Sequence, residues 1–403
     1  MGYLYKIWYQ SADEAKATYR RYMQDGASVM LPFQIHPLND DATYPLFYRA
    51  SNEMLMKLEQ IYRQDVTLCD LGGRLPEVAK RDFVNHLIVQ EIFDSNEIER
   101  IRSTRQEIAK SVRAAAEDQT KQHHRFNSMA HSYLGLTNGA VKRPQSLEDV
   151  RDIYDYITEG EIAEKDLPDG QWFRNGPNVI ETSTGRVIHR GVMPEARIDA
   201  EMQALIDFMK RTDLPALVQV AVAHYVFAYV HPFYDGNGRT GRFLSSLYLS
   251  EICSEFTAYS LSQGCRLMQR QYYEGFDRVN KFNSFGEMNV FIDSFFTIIV
   301  EGQRKILEDI QERWALLAKA LQRIEADARL ADDELKQDVM FTLEQKRLFD
   351  DYNEGLNRKE LAAIHAKAKY HHLCRVLDDM EAAGCVRRVK QKPVTYVSAM
   401  IEA

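Results

Sequence analysis

Apolar residues recur every three or four positions over most of this chain, the period of about 3.6 that marks helices with one buried face. "AKRDFVNHLIVQEIF" carries this period clearly, and "DSNEIERIRSTRQEI" is expected to open a further amphipathic helix. "SLEDVRDIYDYI" predicts another, with Ser146 as its cap, and helices resume at Ile198 and run past Arg323. The first 70 residues mix helical stretches ("SADEAKATYRRYMQ", "SNEMLMKLEQIYRQ") with short apolar alternations ("YLYKIWY", "SVMLPFQI") that predict strands. Between Trp172 and His189 the pattern turns β-like, and "NVIETSTGRVIH" predicts a hairpin with Gly185 in its turn. In the tail, "NRKELAAIH" carries a capping box of Asn357 with Glu360, and "KYHHLCRVLDDMEAAG" is an amphipathic helix ending at Gly384. "CVRRVKQKPVTYVS" then alternates as two strands around Lys392-Pro393, and this order of helix, helix and β-wing predicts a winged helix-turn-helix.

The expectation is a mainly α protein with a β-hairpin. Its segments would be a small α+β region at 1–75, a helical region at 76–130, a helical core at 131–302, a connecting helix at 303–334 and the winged helix-turn-helix at 335–403. A chain of 403 residues is long enough for about two to four compact units. Hydrophobic residues at 45% and charged residues at 27% describe a globular protein, and the net charge of −8 excludes a general attraction to nucleic acid or anionic lipid. The five cysteines form no CxxC pair, which predicts reduced thiols in the cytoplasm. The paired histidines His123-His124 and His371-His372 lack neighbouring ligands at metal spacing. The most apolar stretch, Leu214 to Val230, is interrupted by Gln219 and His224 and falls short of the roughly 20 apolar residues of a membrane span. It predicts a buried core helix, and no membrane partner.

Chemistry concentrates in "HPFYDGNGRTGR", His231 to Arg242, between that apolar helix and one expected to begin near Arg239. A loop feeding a helix N-terminus presents unpaired N–H groups and the positive end of the helix dipole, which makes an anion site. Gly236 and Gly238 let the backbone turn and approach a phosphate closely, and Arg239 and Arg242, three apart, can clamp further oxygens. Asp235 can help hold Mg²⁺ whose other ligands are phosphate oxygens and water, and His231 can accept a proton near neutral pH. Taken singly, each piece also describes a core histidine, a plain turn or a solvated helix face. Their joint order points to phosphoryl or nucleotidyl transfer to a hydroxyl.

The same stretch resembles the signature of the Fic family, His-Pro-Phe-x-(Asp/Glu)-Gly-Asn-Gly-Arg-x-x-Arg, at every fixed position. The resemblance runs from about Asn85 to Gly302 and implies an all-α core with a short β-hairpin flap. It implies transfer of AMP from ATP, with Mg²⁺, onto a Ser, Thr or Tyr hydroxyl of a target protein or of the chain itself. His231 would then deprotonate the hydroxyl, Asp235 bind the metal, and Gly236, Asn237 and Gly238 hold the phosphates. Arg242 would take the γ-phosphate and Arg239 support the site. The hairpin resembles the family's target-docking flap, through Val179, Ile180, Glu181 and Thr182, and "QYYEGFDRVN" resembles its adenine pocket, with Tyr273 and Asn280 on the base. Family members often pair, so a homodimer is admitted; UMP, GMP or phosphocholine transfer is not excluded by the loop.

In "FDSNEIERI", Ser95 and Glu99 are four apart and resemble the family's inhibitory motif, (Ser/Thr)-x-x-x-Glu-(Gly/Asn), with Arg100 in place of the small last residue. The resemblance implies that Glu99 pairs with Arg242 and occupies the guanidinium a γ-phosphate needs. The same glutamate could instead orient a water that removes AMP. Asp94 and Glu97 also suit an ordinary helix start. The winged helix admits DNA or protein as partner: "VRRVKQK" is basic, whereas Asp378, Asp379 and Glu381 precede it.

Overall fold

The computed structural model describes residues 2–38, 40–116, 125–181, 184–331 and 333–400. The chain opens with α1 (Leu4–Gln10), α2 (Ala12–Gln24), the antiparallel pair β1 (Ser28–Ile35) and β2 (Tyr44–Arg49), and α3 (Asn52–Gly73). Then come α4 (Glu77–Ile98), α5 (Arg105–Ala116), α6 (Asn127–Asn138), α7 (Leu147–Thr158) and the hairpin β3 (Val179–Glu181) with β4 (Val187–Arg190). The central helices are α8 (Glu195–Met209), α9 (Ala216–Val230), α10 (Asn237–Ile252), α11 (Glu255–Ala258), α12 (Leu261–Leu267), α13 (Gln269–Val279) and the long α14 (Asn289–Ala326). The tail follows as α15 (Glu334–Phe349), β5 (Leu356–Asn357), α16 (Arg358–Ile364), α17 (Tyr370–Ala382), β6 (Val386–Gln391) and β7 (Val394–Ser398).

Contacts divide the chain into two units, residues 1–68 with 88–305 and residues 69–87 with 306–403. In the first, α9 is buried nearly all round, as its apolar run, broken only by Gln219 and His224, dictates. His224 is accommodated by a chain of bonds with a definite direction. The Tyr272 hydroxyl donates to Nε2 at 2.8 Å, Nδ1–H donates to Ser245 Oγ at 2.8 Å, and Ser245 donates to the Gly241 carbonyl at 2.8 Å. Burial, with Arg242 nearby, holds this imidazole down at about 3, so it is neutral.

The second unit has its own core, in which Leu343, Leu361, Leu373, Leu377 and Tyr396 are buried together. Its sheet runs β5-β7-β6, antiparallel throughout, so α16, α17 and a β-hairpin follow one another in the order read from the sequence. The Asn357–Glu360 capping box and the Ser146 cap of α7 both form as expected. The tail expected as 335–403 lies in this unit, which also takes 69–87 and 306–334.

Two local expectations are corrected. "YLYKIWY" is helical, as α1, because Leu4 is buried against Tyr22 and Phe47 while Trp8 packs on Phe282 and Phe285; tertiary aromatic contacts override the short alternation. "DSNEIERI" does not open a helix: Asp94 to Ile98 are the last turn of α4, and the next helix starts only at Arg105. β2, which pairs with β1, carries no clear alternation and is added by the structure.

Candidate functional site

The signature loop begins where α9 ends. His231 is the C-cap, in the left-handed region at φ 55°, and its N–H still donates to the Phe227 carbonyl at 3.0 Å. A non-glycine residue there is strained, and the loop is held by a residue not singled out from the sequence, Arg174. This fully buried guanidinium donates to four carbonyls: His231 at 2.8 Å, Gly176 at 2.6 Å, Val192 at 2.8 Å and Val230 at 3.3 Å. Burial pulls its pKa down to about 10, which leaves it charged at neutral pH. Arg174 thereby ties the last turn of α9 to the segments on either side of the β3–β4 hairpin. Asn178 adds to the tie, its amide donating to the carbonyls of Phe233 and Tyr234 at 2.9 and 2.8 Å.

His231 Nδ1 lies 3.3 Å from the Ala228 carbonyl, an acceptor only, so Nδ1 carries the hydrogen and Nε2 keeps the lone pair. Burial, reinforced by His189 and Arg174, pushes the imidazole down to about 3. The ring is therefore neutral at physiological pH. His189, reaching in from the hairpin, bonds the Tyr229 carbonyl at 2.6 Å and is also held low by burial.

Asn237 closes the loop on itself: its Oδ1 accepts from the Phe233 N–H at 2.9 Å and its Nδ2 donates to the Phe233 carbonyl at 2.7 Å. Its side chain is thus committed to the loop, and only its backbone N–H is left for a phosphate. Gly236, at φ 80°, is the N-cap of α10, and Asp235 stands exposed beside it with Oδ1 accepting from the Gly236 N–H at 2.6 Å. Among the described residues, no group of three His, Cys, Asp or Glu side chains gathers to hold a metal ion. His123 and His124 lie outside the described residues. One exposed carboxylate fits Mg²⁺, which takes most of its ligands from phosphate and water.

Arg239 and Arg242 follow on the first turns of α10, both buried. Arg239 has no ion pair among the described residues and its Nε is unpartnered; burial lowers its pKa, opposed by Asp235, Glu161 and Glu99 nearby. Arg242 is fully engaged. Its Nε donates to Ser95 Oγ at 3.0 Å, one Nη to the Ser95 carbonyl at 3.0 Å and the other to Glu99 Oε1 at 2.8 Å. Burial opposes this charge, yet Glu99 holds the guanidinium above its ordinary range. Glu99 meets Arg242 through a single bond rather than a two-bond fork, because Ser95 takes the other two arms.

Glu99 stands one residue past α4. Arg100 follows at φ 59°, which accounts for the small last residue of the motif, since glycine or asparagine adopts that conformation with less strain than arginine. The Arg102 carbonyl accepts from Arg125, whose guanidinium also grips Glu161 through bonds of 2.6 and 2.7 Å.

On α13, Tyr272 is core and Tyr273 is 49% exposed, its hydroxyl 3.5 Å from the Ile98 carbonyl beside Glu99. Asn280 accepts from the Tyr225 hydroxyl at 2.6 Å and borders a cleft of about 550 Å³, together with Gly191 and the β1 residues Pro32 and Phe33. Tyr273 is not among the residues lining that cleft. In the hairpin, Val179 pairs with Arg190, Ile180 with His189 and Glu181 with Val187, with a bulge between Ile180 and Glu181. Thr182 lies outside the described residues.

Residues 144–249, the segment holding this loop, match the model of the Fic/DOC family. The chain carries a Fic domain. Proteins with a Fic domain are typically transferases. A Fic family protein from Desulfovibrio desulfuricans G20 superposes with a TM-score of 0.52 at 16% identity, over 88% of this chain and 98% of that one, and shares the fold. A Fic domain containing signaling protein from Bacteroides thetaiotaomicron matches at 15% identity and TM-score 0.43, over 64% of this chain and 97% of that one. Fic-1 from C. elegans matches at 17% identity and TM-score 0.42, over 64% and 74%. No helix among the described residues is long and apolar enough to cross a membrane.

Proposed function

We propose that this Fic protein transfers AMP from ATP to a hydroxyl of a protein target, and that Glu99 restrains the reaction. One observation carries the reading: the site already holds an anion, its own. Glu99 Oε1 bonds Arg242 and lies over the first turn of α10, so close to Gly238 that a Cβ there would stand 1.9 Å from it. A carboxylate rests where helix N–H groups, the dipole and two buried arginines converge, and a terminal phosphate has the same requirements.

In this reading the target hydroxyl gives its proton to His231 Nε2. Its oxygen bonds to the α-phosphorus as the bond to the bridging oxygen breaks, and pyrophosphate leaves with that electron pair. The imidazole is a weak base in its buried setting; a polyphosphate beside it favours the imidazolium and raises its basicity. Arg239, short of partners, and the free N–H groups of α10 receive phosphate charge. Mg²⁺, held by Asp235, would neutralise phosphate charge. Val179 and Ile180 offer the strand edge for the target, and Tyr273 and Asn280 the polar and aromatic contacts for adenine.

Labelled ATP with Mg²⁺, followed by intact-mass analysis, tests the reading. Glu99→Gly should carry an added AMP at many times the wild-type level, and Glu99→Gly with His231→Ala should lose it by at least about a hundredfold. Equal labelling with and without His231 would overturn the base assignment, and another nucleotide on the Glu99→Gly protein would replace AMP as the transferred group.

A further inference from the structure

The second unit presents a charged surface that nucleotidyl transfer leaves unused. α17 buries Leu373, Val376, Leu377 and Met380 on one side, which turns His371 and Arg375, one helical turn apart, to the outside. Lys367 and Lys369, exposed in the turn that leads into α17, and Lys359 on α16 face solvent as well. Among the described residues none of Lys359, Lys367, Lys369 and Arg375 is ion-paired with a carboxylate. Tyr370, the first residue of α17, is 53% exposed.

We propose that this face binds duplex DNA, with the first two turns of α17 in the major groove. In a helix-turn-helix the N-terminal residues of the second helix meet the base edges while the flanking turn and first helix meet phosphate. Here that end of α17 carries Tyr370, His371 and Arg375, and the turn and α16 before it carry Lys359, Lys367 and Lys369. The acidic residues that argue against DNA occupy the other end, about 10 Å farther along the axis from His371 to Asp378. Asp378 is also spoken for: its Oδ1 accepts from Arg358 at 2.6 Å and from Arg388 at 2.7 Å, and Arg388 reaches Glu381 at 2.7 Å. These pairs offset Asp378 and Glu381 and leave Asp379 as the one exposed carboxylate of that end without an arginine partner among the described residues, about two turns beyond His371. They also take Arg388 out of the wing, and Lys390 leans 3.4 Å from Glu354, so Lys392 at the hairpin turn is left to reach a neighbouring phosphate. The unpaired cations thus gather on α16, the turn and the first half of α17, a pattern that suits a polyanion of fixed width better than an acidic protein surface of arbitrary shape.

The test is fluorescence anisotropy of the full chain with a labelled random-sequence duplex of about two helical turns at about 50 mM salt. Four phosphate contacts predict that the binding constant falls about twelvefold when the salt is doubled. Lys367→Glu with Lys369→Glu and Arg375→Glu should weaken binding at least about tenfold, with the thermal midpoint and AMP labelling of the Glu99→Gly background unchanged. The pair Lys367→Ala and Lys369→Ala, confined to the turn, should move in the same direction without touching a helix. No anisotropy change at low salt, or equal binding by these variants, overturns the proposal. Either outcome leaves the nucleotide chemistry untouched, because labelling is read separately.

Discussion

Glu99 Oε1 stands 2.8 Å from the Arg242 guanidinium, and the partner it binds is 1% exposed while its own side chain is 35% exposed. The pair is therefore asymmetric: the arginine cannot reach water for compensation, whereas the glutamate can swing out. Removing Glu99 should cost roughly 2 kcal/mol of stability, between the values of a surface pair and a fully buried one. A triphosphate should repay that loss. In differential scanning fluorimetry Glu99→Gly is expected to melt below wild type without nucleotide and to gain more than wild type from Mg²⁺ and ATP. Equal gains in the two proteins would refute competition for Arg242.

Arg100 offers a second handle on the same contact. Its φ of 59° costs an L-residue roughly 1–2 kcal/mol, and glycine escapes that cost at the expense of unfolded-chain entropy. Arg100→Gly should therefore raise stability by about 0.5–1 kcal/mol and lower basal labelling, since the turn that aims Glu99 is held with less strain. Arg100→Val should do the reverse. Urea midpoints and labelling rates of the two variants decide it.

The contrast between Glu99 and Arg174 explains what could be read from the sequence. The glutamate, the histidine and both signature arginines sit in a contiguous motif, or in one with fixed spacing, so their types and order announce the chemistry. The helical core was legible for a related reason: α9 buries nearly every side chain, and its apolar run survives in one dimension. Arg174 had no such neighbours. Its partners are main-chain carbonyls up to 57 residues away, and a carbonyl leaves no mark in a sequence; the only trace is a lone arginine after Trp172-Phe173. α1 was missed on similar grounds, because the aromatic residues that make it a helix come from far along the chain.

Arg174 should accordingly behave as a positioning residue. Arg174→Ala takes the donor from the His231, Gly176 and Val192 carbonyls, bonds of 2.6–2.8 Å, while the Val230 carbonyl keeps the Val192 N–H at 3.0 Å, and is expected to cost about 4 kcal/mol. Arg174→Lys keeps the charge but not the planar fork, so it should recover part of the stability. In the Glu99→Gly background Arg174→Lys should lower kcat more than it raises the KM for ATP, because the imidazole rather than the phosphate seat is misplaced. Unchanged kcat with a raised KM would count against that role.

The buried groups oppose one another in their response to pH. His231 and His224 are both pushed to about 3, below their unfolded value of 6.5, so the unfolded chain binds the extra protons. Their contribution is whole above about pH 6.5 and is lost as pH falls from there toward 3. Glu91 works in the other direction. Burial raises it to about 8, against the donations of the Ser262 N–H and hydroxyl, so its contribution is whole below its unfolded value of 4.5 and is lost as pH rises through about 8. Stability should then peak near neutrality. Glu91→Gln, which keeps one acceptor for the Ser262 N–H and offers a donor to its hydroxyl, should match wild type near pH 4 and exceed it at pH 9. Urea midpoints at those two values test the sign: a variant that is weaker at pH 9 would mean that Glu91 is ionised in the native protein and is stabilised there by Arg242.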